Sequence, residues 1–300
     1  MNIVFMATPD FALPSLKAVY DSKYKIVAVV TGADKERGRG QKISFTPIKQ
    51  YAVEKGIPVL QPENLKDESF INQLKQFEAD VFIIVAFRIL PKEVFAIPKL
   101  GSFNLHGSLL PKYRGAAPIQ WALINGDKET GVTTFFLQEK VDTGNMILQE
   151  KIPILDEDNF GTLHDKMSLL GSEVIIKTLN LIESGNVIVQ KQNDLLASPA
   201  PKITKETCLI NWNNSAEQVH NLVRGLSPYP AAFFNIDEKH YKVYRTSINK
   251  ELKLEPGQIY QTKTQAAVGC KDYSINLLEI QPEGRKRMTI EEFLRGYKLN

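Results

Sequence analysis

Cysteine and histidine are scarce in this 300-residue chain, two of one and four of the other, and none of them falls into a recognisable metal-ligand spacing. Cys208 and Cys270 lie far apart in sequence and read as small buried hydrophobes rather than as half of a disulfide or a zinc site, so metal-independent chemistry is expected. No apolar run is long enough to cross a bilayer. The opening Met1-Asn2-Ile3-Val4-Phe5 has neither the basic leader nor the small-residue cleavage site of a secretory signal. A cytoplasmic protein without membrane attachment is therefore expected. The Gly-x-x-x-x-Gly-Lys-Ser/Thr spacing of a phosphate loop is absent, and Ala7-Thr8-Pro9, after the first strand, lacks the glycines of a dinucleotide site. Both absences disfavour ATP and nicotinamide cofactors. Internal repeats and low-complexity tracts are missing too, which excludes a solenoid scaffold and a disordered interaction protein.

What remains is an ordinary globular composition, 43% apolar and 24% charged, long enough for two domains with separate cores. The first half alternates short β-rich apolar segments with amphipathic stretches, the signature of β-α-β units around a mainly parallel sheet, so a doubly wound α/β fold is expected. The pattern predicts strands at 3–6, 26–31, 81–85, 101–105 and 133–137, and helices at 12–20, 47–55, 67–77 and from 118. Met167, Leu170, Val174, Ile175, Leu179 and Ile182 form a stripe at helical spacing that should end near Gly185. From 190 to 205 the chain turns polar and proline-marked, as suits an extended linker. That places one domain at 1–189 and a second at 206–300. In the second, one short helix at 216–226 is followed by five short strands, consistent with a β-barrel. The formal charge of +3 resides in the part from Lys205 onward, where 14 Lys and Arg face 11 Asp and Glu.

The chemistry-bearing block is Phe103-Asn104-Leu105-His106-Gly107-Ser108-Leu109-Leu110-Pro111, running into Arg114-Gly115-Ala116-Ala117-Pro118. Two polar side chains stand at alternate positions beside a turn rich in Gly and Pro. With Asp142-Thr143-Gly144 downstream, the sequence supplies an amide, an imidazole and a carboxylate, the groups needed to move an acyl group between nitrogens. Singly, each has a structural rival: Asn104 could bond backbone, His106 could be a satisfied core histidine, and Asp142 could cap a turn.

Taken with Ala7-Thr8-Pro9-Asp10-Phe11, Gly38-Arg39-Gly40, Gly131-Val132-Thr133-Thr134, Ala200-Pro201-Lys202-Ile203, Ile210-Asn211-Trp212 and Arg224-Gly225-Leu226-Ser227-Pro228, these segments make nearly the whole chain resemble the methionyl-tRNA formyltransferases. The resemblance implies a Rossmann-like catalytic domain followed by an OB-like β-barrel. It implies transfer of the formyl group of 10-formyltetrahydrofolate to the α-amine of initiator methionyl-tRNA by a monomer. Asn104 would stabilise the oxyanion, His106 would polarise the formyl group and exchange protons, and Asp142 would orient the imidazole and accept the amine proton. Folate would be met by Ser108, Leu109, Leu110 and Pro111, and by Phe87, Arg88, Ile89 and Leu90, where Arg88 departs from the Tyr-Gly arrangement more familiar in the family.

For tRNA, the basic segment 34–42 offers Lys35, Arg37, Arg39 and Lys42, a composition suited to seeking a phosphate backbone, with Arg39 implied as the principal contact at the acceptor end. Arg285, Lys286 and Arg287 lie among aromatic residues in the second domain and are compatible with tracking along RNA. A mobile solvated loop and a charged surface face are the plain alternatives. Rival activities are formyl transfer to an amino sugar or to a glycinamide nucleotide, and hydrolysis of formylfolate. A catalytically silent RNA-binding module is the rival of a different class.

Overall fold

A computed structural model describes residues 1–37 and 42–299. In chain order its first elements are β1 (Asn2–Ala7), α1 (Leu13–Tyr20), β2 (Lys25–Val30), β3 (Lys35–Arg37), β4 (Lys42–Ser44), α2 (Pro47–Glu54), β5 (Val59–Leu60), α3 (Glu68–Gln76), β6 (Val81–Val85), α4 (Lys92–Phe95), β7 (Ser102–His106) and β8 (Arg114–Gly115). There follow α5 (Pro118–Ile124), β9 (Glu129–Phe136), β10 (Met146–Pro153), α6 (Phe160–Ser184), β11 (Pro199–Ala200), α7 (Lys205–Cys208) and α8 (Ala216–Leu226). The last are β12 (Ala232–Ile236), β13 (Lys239–Asn249), β14 (Ile259–Gln261), β15 (Ala266–Gly269), β16 (Ser274–Pro282), β17 (Met288–Thr289) and α9 (Ile290–Leu294). The chain divides into two compact units. Unit 1 holds Met1–Gly115, Gly131–Ile152 and His164–Pro199, and unit 2 holds Ala116–Thr130, Pro153–Leu163 and Ala200–Asn300.

Unit 1 carries a seven-stranded sheet in the order β10-β9-β7-β6-β1-β2-β5. β1 lies parallel to β2 and β6, β6 to β7, and β2 to β5, while β7 and β9 are antiparallel. Every residue of β6, Val-Phe-Ile-Ile-Val, is buried, as a strand covered on both faces requires. Chain order reverses between β1 and β6, and in open α/β sheets the carboxyl ends of strands around such a reversal form the ligand crevice. α6 is fixed to the sheet by a buried bond of 2.8 Å between the Thr178 and Thr134 hydroxyls. Gly171 on that helix is there for close approach: a methyl group at its Cα would stand 2.6 Å from Cδ2 of Leu105 on β7.

Two features of unit 1 go beyond the sequence pattern. β10 opens with the short apolar run Met146-Ile147-Leu148, of which Met146 and Ile147 are buried, and goes on through residues that are only half-buried or exposed, so the pattern does not mark it as a strand. The basic segment 34–42, read as a loop, instead contains an antiparallel hairpin in which Lys35 faces Ser44 and Arg37 faces Lys42. Its base is held by Lys49, whose ammonium donates to Asp34 at 2.5 Å and to the Gln61 side-chain oxygen at 2.7 Å, and that bond holds the Asp34 carboxyl below the usual carboxylate range. Residues 38–41, Arg39 among them, lie outside the described residues.

Unit 2 carries an antiparallel half-barrel in the order β12-β13-β16-β15-β14, with β17 joined to β16. The capping box at Ser215, whose hydroxyl accepts from Gln218 N while the Gln218 side chain accepts from Ser215 N, starts α8. Val219, Val223 and Leu226 on its buried face enter one core with Phe234, Val243, Ile275 and Ile280. Both cysteines are buried and unpaired there, and burial pushes the Cys270 thiol up to about 12, which suits a small hydrophobe and not a nucleophile.

Candidate active site

β7 delivers the first two functional groups. Successive strand residues alternate between faces, so Asn104 and His106 project from one face while Phe103 and Leu105, both buried, fill the core on the other. Asn104 pairs in register with Ile84 of β6 and Phe135 of β9, which fixes its backbone. Its half-buried side chain makes no hydrogen bond to any of the described residues. An amide so placed, neither anchored nor fully solvated, is free to donate to a ligand.

His106, only 6% exposed, ends the strand. Its Nε2 lies 2.8 Å from the carbonyl oxygen of Tyr113. A carbonyl can only accept, so Nε2 carries the hydrogen and the exchangeable position is Nδ1. That nitrogen faces Oδ2 of Asp142 at 3.9 Å. The gap exceeds hydrogen-bond length and closes by a shift of about 1 Å.

Asp142 sits in the turn between β9 and β10. Its Oδ2 accepts a bond of 2.9 Å from the Gly115 amide, which leaves the carboxylate acceptor capacity on the side of the imidazole. Its φ is +55°, a region that costs an ordinary L-residue on the order of 1–2 kcal/mol and is least unfavourable for Asn and Asp. Two residues on, Gly144 brings the backbone so close to β9 that a Cβ there would meet the Phe136 carbonyl oxygen at 1.7 Å. The side chain of Gln192 then closes the turn, donating to the carbonyl oxygens of Asp142 and Gly144, each at 2.9 Å.

Of the trio read from the sequence, His106 and Asp142 are brought within 3.9 Å of each other, and Asn104 shares a strand face with His106. Sequence reasoning missed their supports. Tyr113 gives only a backbone carbonyl, which no side-chain pattern reports. Arg114 stood inside the motif without a role and turns out to hold Gln192 Oε1 at 3.0 and 2.7 Å and Asp194 at 2.7 Å. Gln192 belongs to the stretch read as an extended linker, yet it is 5% exposed, and its neighbour Gln190 bridges to Met146.

The residues implied in folate contact divide by burial. Ser108 is fully buried and donates to the Lys112 carbonyl at 2.6 Å, and Leu110 packs with Phe135 and Met146. The Leu110 backbone is also committed, its N–H to Thr133 Oγ1 at 3.1 Å and its carbonyl to Gln149 at 2.7 Å. Leu109 and Pro111, half-buried, retain surface to offer. On the other segment Leu90 is core, Phe87 is half-buried against it, and Ile89 is 73% exposed. Arg88 donates to the carbonyls of Glu63 and Pro62 at 2.9 and 2.6 Å while lying over the Phe87 ring, so the residue that departs from the family pattern pins the 62–63 backbone.

Of the residues implied in tRNA contact, Lys35, Arg37 and Lys42 have their backbones on the β3-β4 hairpin. Arg285, Lys286 and Arg287 are exposed. Arg287 is spent on Glu279 through bonds of 2.5 and 2.6 Å and lies over the Tyr244 ring, and Arg285 lies over Tyr297 at 4.2 Å. The other histidines are engaged structurally: His164 stands edge-on to Phe11, His220 bonds Thr246 at 2.9 Å, and His240 packs on Phe233. Among the described residues no three Cys, His, Asp or Glu side chains gather as a metal set, and no helix is long and apolar enough to cross a membrane.

Residues 1–179 match the formyl transferase family, and residues 202–298 match the formyl transferase C-terminal domain. The chain is 45% identical over 302 residues to the methionyl-tRNA formyltransferase of Caldanaerobacter subterraneus subsp. tengcongensis, covering 100% of this chain and 98% of that one. Among solved structures it resembles the N-formyltransferase from Helicobacter canadensis in complex with folinic acid and dTDP-3-aminofucose, with TM-score 0.69, 22% identity, and 92% and 98% of the two chains covered. It also resembles HypX from Aquifex aeolicus in complex with tetrahydrofolic acid, with TM-score 0.66 and 17% identity. All of this chain then covers 48% of HypX, so it spans about half the length of that protein. At these identities the two structures speak for the fold.

Proposed function

The chain belongs to the formyl transferase family, with full-length relatives that are methionyl-tRNA formyltransferases, and from that premise we propose that Asn104, His106 and Asp142 carry formyl transfer from 10-formyltetrahydrofolate to the α-amine of initiator methionyl-tRNA. The observation that supports this most is the fixed tautomer of His106, whose free Nδ1 faces the Asp142 carboxylate at 3.9 Å on the face shared with an unanchored amide.

In the reaction a bond forms between the methionyl nitrogen and the formyl carbon, the bond from that carbon to N10 of the folate breaks, and the amine proton ends on N10. Negative charge grows on the formyl oxygen as the nitrogen attacks. The Asn104 amide donates to it, a preorganised contact of a kind whose loss costs about 10²–10³ in rate. His106 donates from Nδ1 when protonated, while Tyr113 O keeps the ring from turning. Asp142 stabilises the resulting imidazolium and takes up the amine proton on its way to N10. Leu109, Pro111, Phe87 and Ile89 offer apolar surface to a flat heterocycle, and Ser108, Leu110, Arg88 and Leu90 support the segments that carry them.

The tRNA is engaged by Lys35, Arg37 and Lys42 of the β3-β4 hairpin, by Arg39, and by Arg285, Lys286 and Arg287 on the half-barrel. The functional division is a catalytic domain at 1–189, a connecting segment at 190–205 and a tRNA-binding domain at 206–300, acting as a cytoplasmic monomer. The rival of the same class is transfer to an amino sugar, since a sugar 3N-formyl transferase shares the fold; the full-length relatives weigh against it.

An acceptor comparison tests the proposal. The full chain is incubated with 10-formyltetrahydrofolate and, separately, methionyl-tRNA, a dTDP-amino sugar, a glycinamide nucleotide or no acceptor. Formylation of methionyl-tRNA with the highest kcat/KM is expected. Preference for either small acceptor, or equal release of free formate without acceptor, would replace the proposal with the corresponding rival.

A further inference from the structure

We infer that Gln192 is a positioning residue that sets the Asp142 carboxylate against His106. The inference rests on the proton-handling role proposed for Asp142. Every hydrogen-bonding site of the Gln192 amide is used: Nε2 donates to the carbonyls of Asp142 and Gly144, and Oε1 accepts from Arg114 Nε and Nη2. Arg114 is followed directly by Gly115, whose amide holds Asp142 Oδ2. A closed ring results, running from the Asp142 carbonyl through Gln192 and Arg114 to Gly115 and back to the Asp142 carboxylate. It joins three segments remote in sequence and grips the same aspartate at both its backbone and its side chain.

The ring explains how Asp142 stays at a φ of +55° with its carboxylate aimed at a buried imidazole. Gly144 cannot move toward β9, because its backbone already touches Phe136, and Gln192 prevents movement the other way. Only an amide serves. A glutamate would present a carboxylate to two carbonyl oxygens, and a leucine would leave both carbonyls without a donor and Arg114 held by Asp194 alone.

The test is single-turnover formyl transfer by the full chain with saturating methionyl-tRNA and 10-formyltetrahydrofolate. Gln192→Glu, which keeps the volume, and Gln192→Leu are each placed in the native and the Asp142→Asn background, and circular dichroism confirms folding. In the native background we expect a rate loss of tenfold or more, KM for both substrates within about threefold of native, and a displaced pH-rate profile. In the Asp142→Asn background the same substitutions should cost less than twofold, because the group they position is already gone. Losses that multiply fully in the double variants, or a native rate and pH profile in the folded Gln192→Glu protein, would overturn the inference while leaving the role of Asp142 intact. A native rate for Asp142→Asn alone would remove that role and this inference with it.

Discussion

The corner around His106 and the basic stretch 285–287 of the half-barrel differ in how their polar groups are used. Around His106 the ring nitrogen, the aspartate and the glutamine have assigned partners at fixed distances, and one amide and one ring nitrogen are left over. On the half-barrel, Arg287 is paired with Glu279 and Arg285 is laid on Tyr297, on a surface open to water. Where polar groups are buried and convergent, what remains unpaired points to a reacting atom. Exposed cations give no such remainder, because water and neighbouring carboxylates satisfy them equally well.

That contrast is broken most severely at Asp142. Asp142→Asn should lower kcat for methionyl-tRNA by about 10²–10⁴, the usual weight of acid–base catalysis, with the fold intact by circular dichroism; a loss below fivefold would make the corner no more specialised than the surface. Asn104→Ala comes next, with an expected loss of about 10²–10³ in kcat and little change in KM. An effect confined to KM would mean that the amide binds the ground state only. On the half-barrel, Lys286→Ala should leave kcat unchanged and reduce the slope of log affinity against log salt by about 1, measured by filter binding of the tRNA. Arg287→Ala should reduce it less, since Glu279 already neutralises that charge, and an order reversed between the two would show that the ion pair opens on binding. The smallest effect is expected from Asp194→Asn. Arg114 holds the Asp194 carboxyl below its ordinary range, but the group is 71% exposed, so transfer rates at neutral pH should stay within about twofold of native.

The same contrast governs what could be read from the sequence. β1 and β6 were legible as apolar runs, β7 as an alternation of polar residues with Phe103 and Leu105, and the α6 stripe from 167 onward, because burial on one or both faces leaves a pattern in the residues. β10 was not, since the three consecutive polar residues Gln149, Glu150 and Lys151 interrupt its apolar residues and the strand ends at Pro153. The hairpin in 34–44 was hidden by its glycines and charges. At the site, Asn104, His106 and Asp142 stood out because an amide, an imidazole and a carboxylate are the functional types that acyl transfer needs, and because they lie in segments that resemble a known family. Gln192 was not visible: a glutamine amid polar, proline-marked sequence has no periodicity, and its value lies in two backbone carbonyls fifty residues away.

The central claim is that Asn104, His106 and Asp142 converge on one formyl group, and a crystal structure of the chain soaked with an unreactive folate analogue that carries its formyl group at position 10 addresses it most directly. The account predicts the formyl oxygen within about 3 Å of both the Asn104 amide nitrogen and His106 Nδ1, with the Asp142 carboxylate closing on the imidazole. A formyl group bound away from these three side chains, in crystals of an enzyme active on methionyl-tRNA, would contradict it.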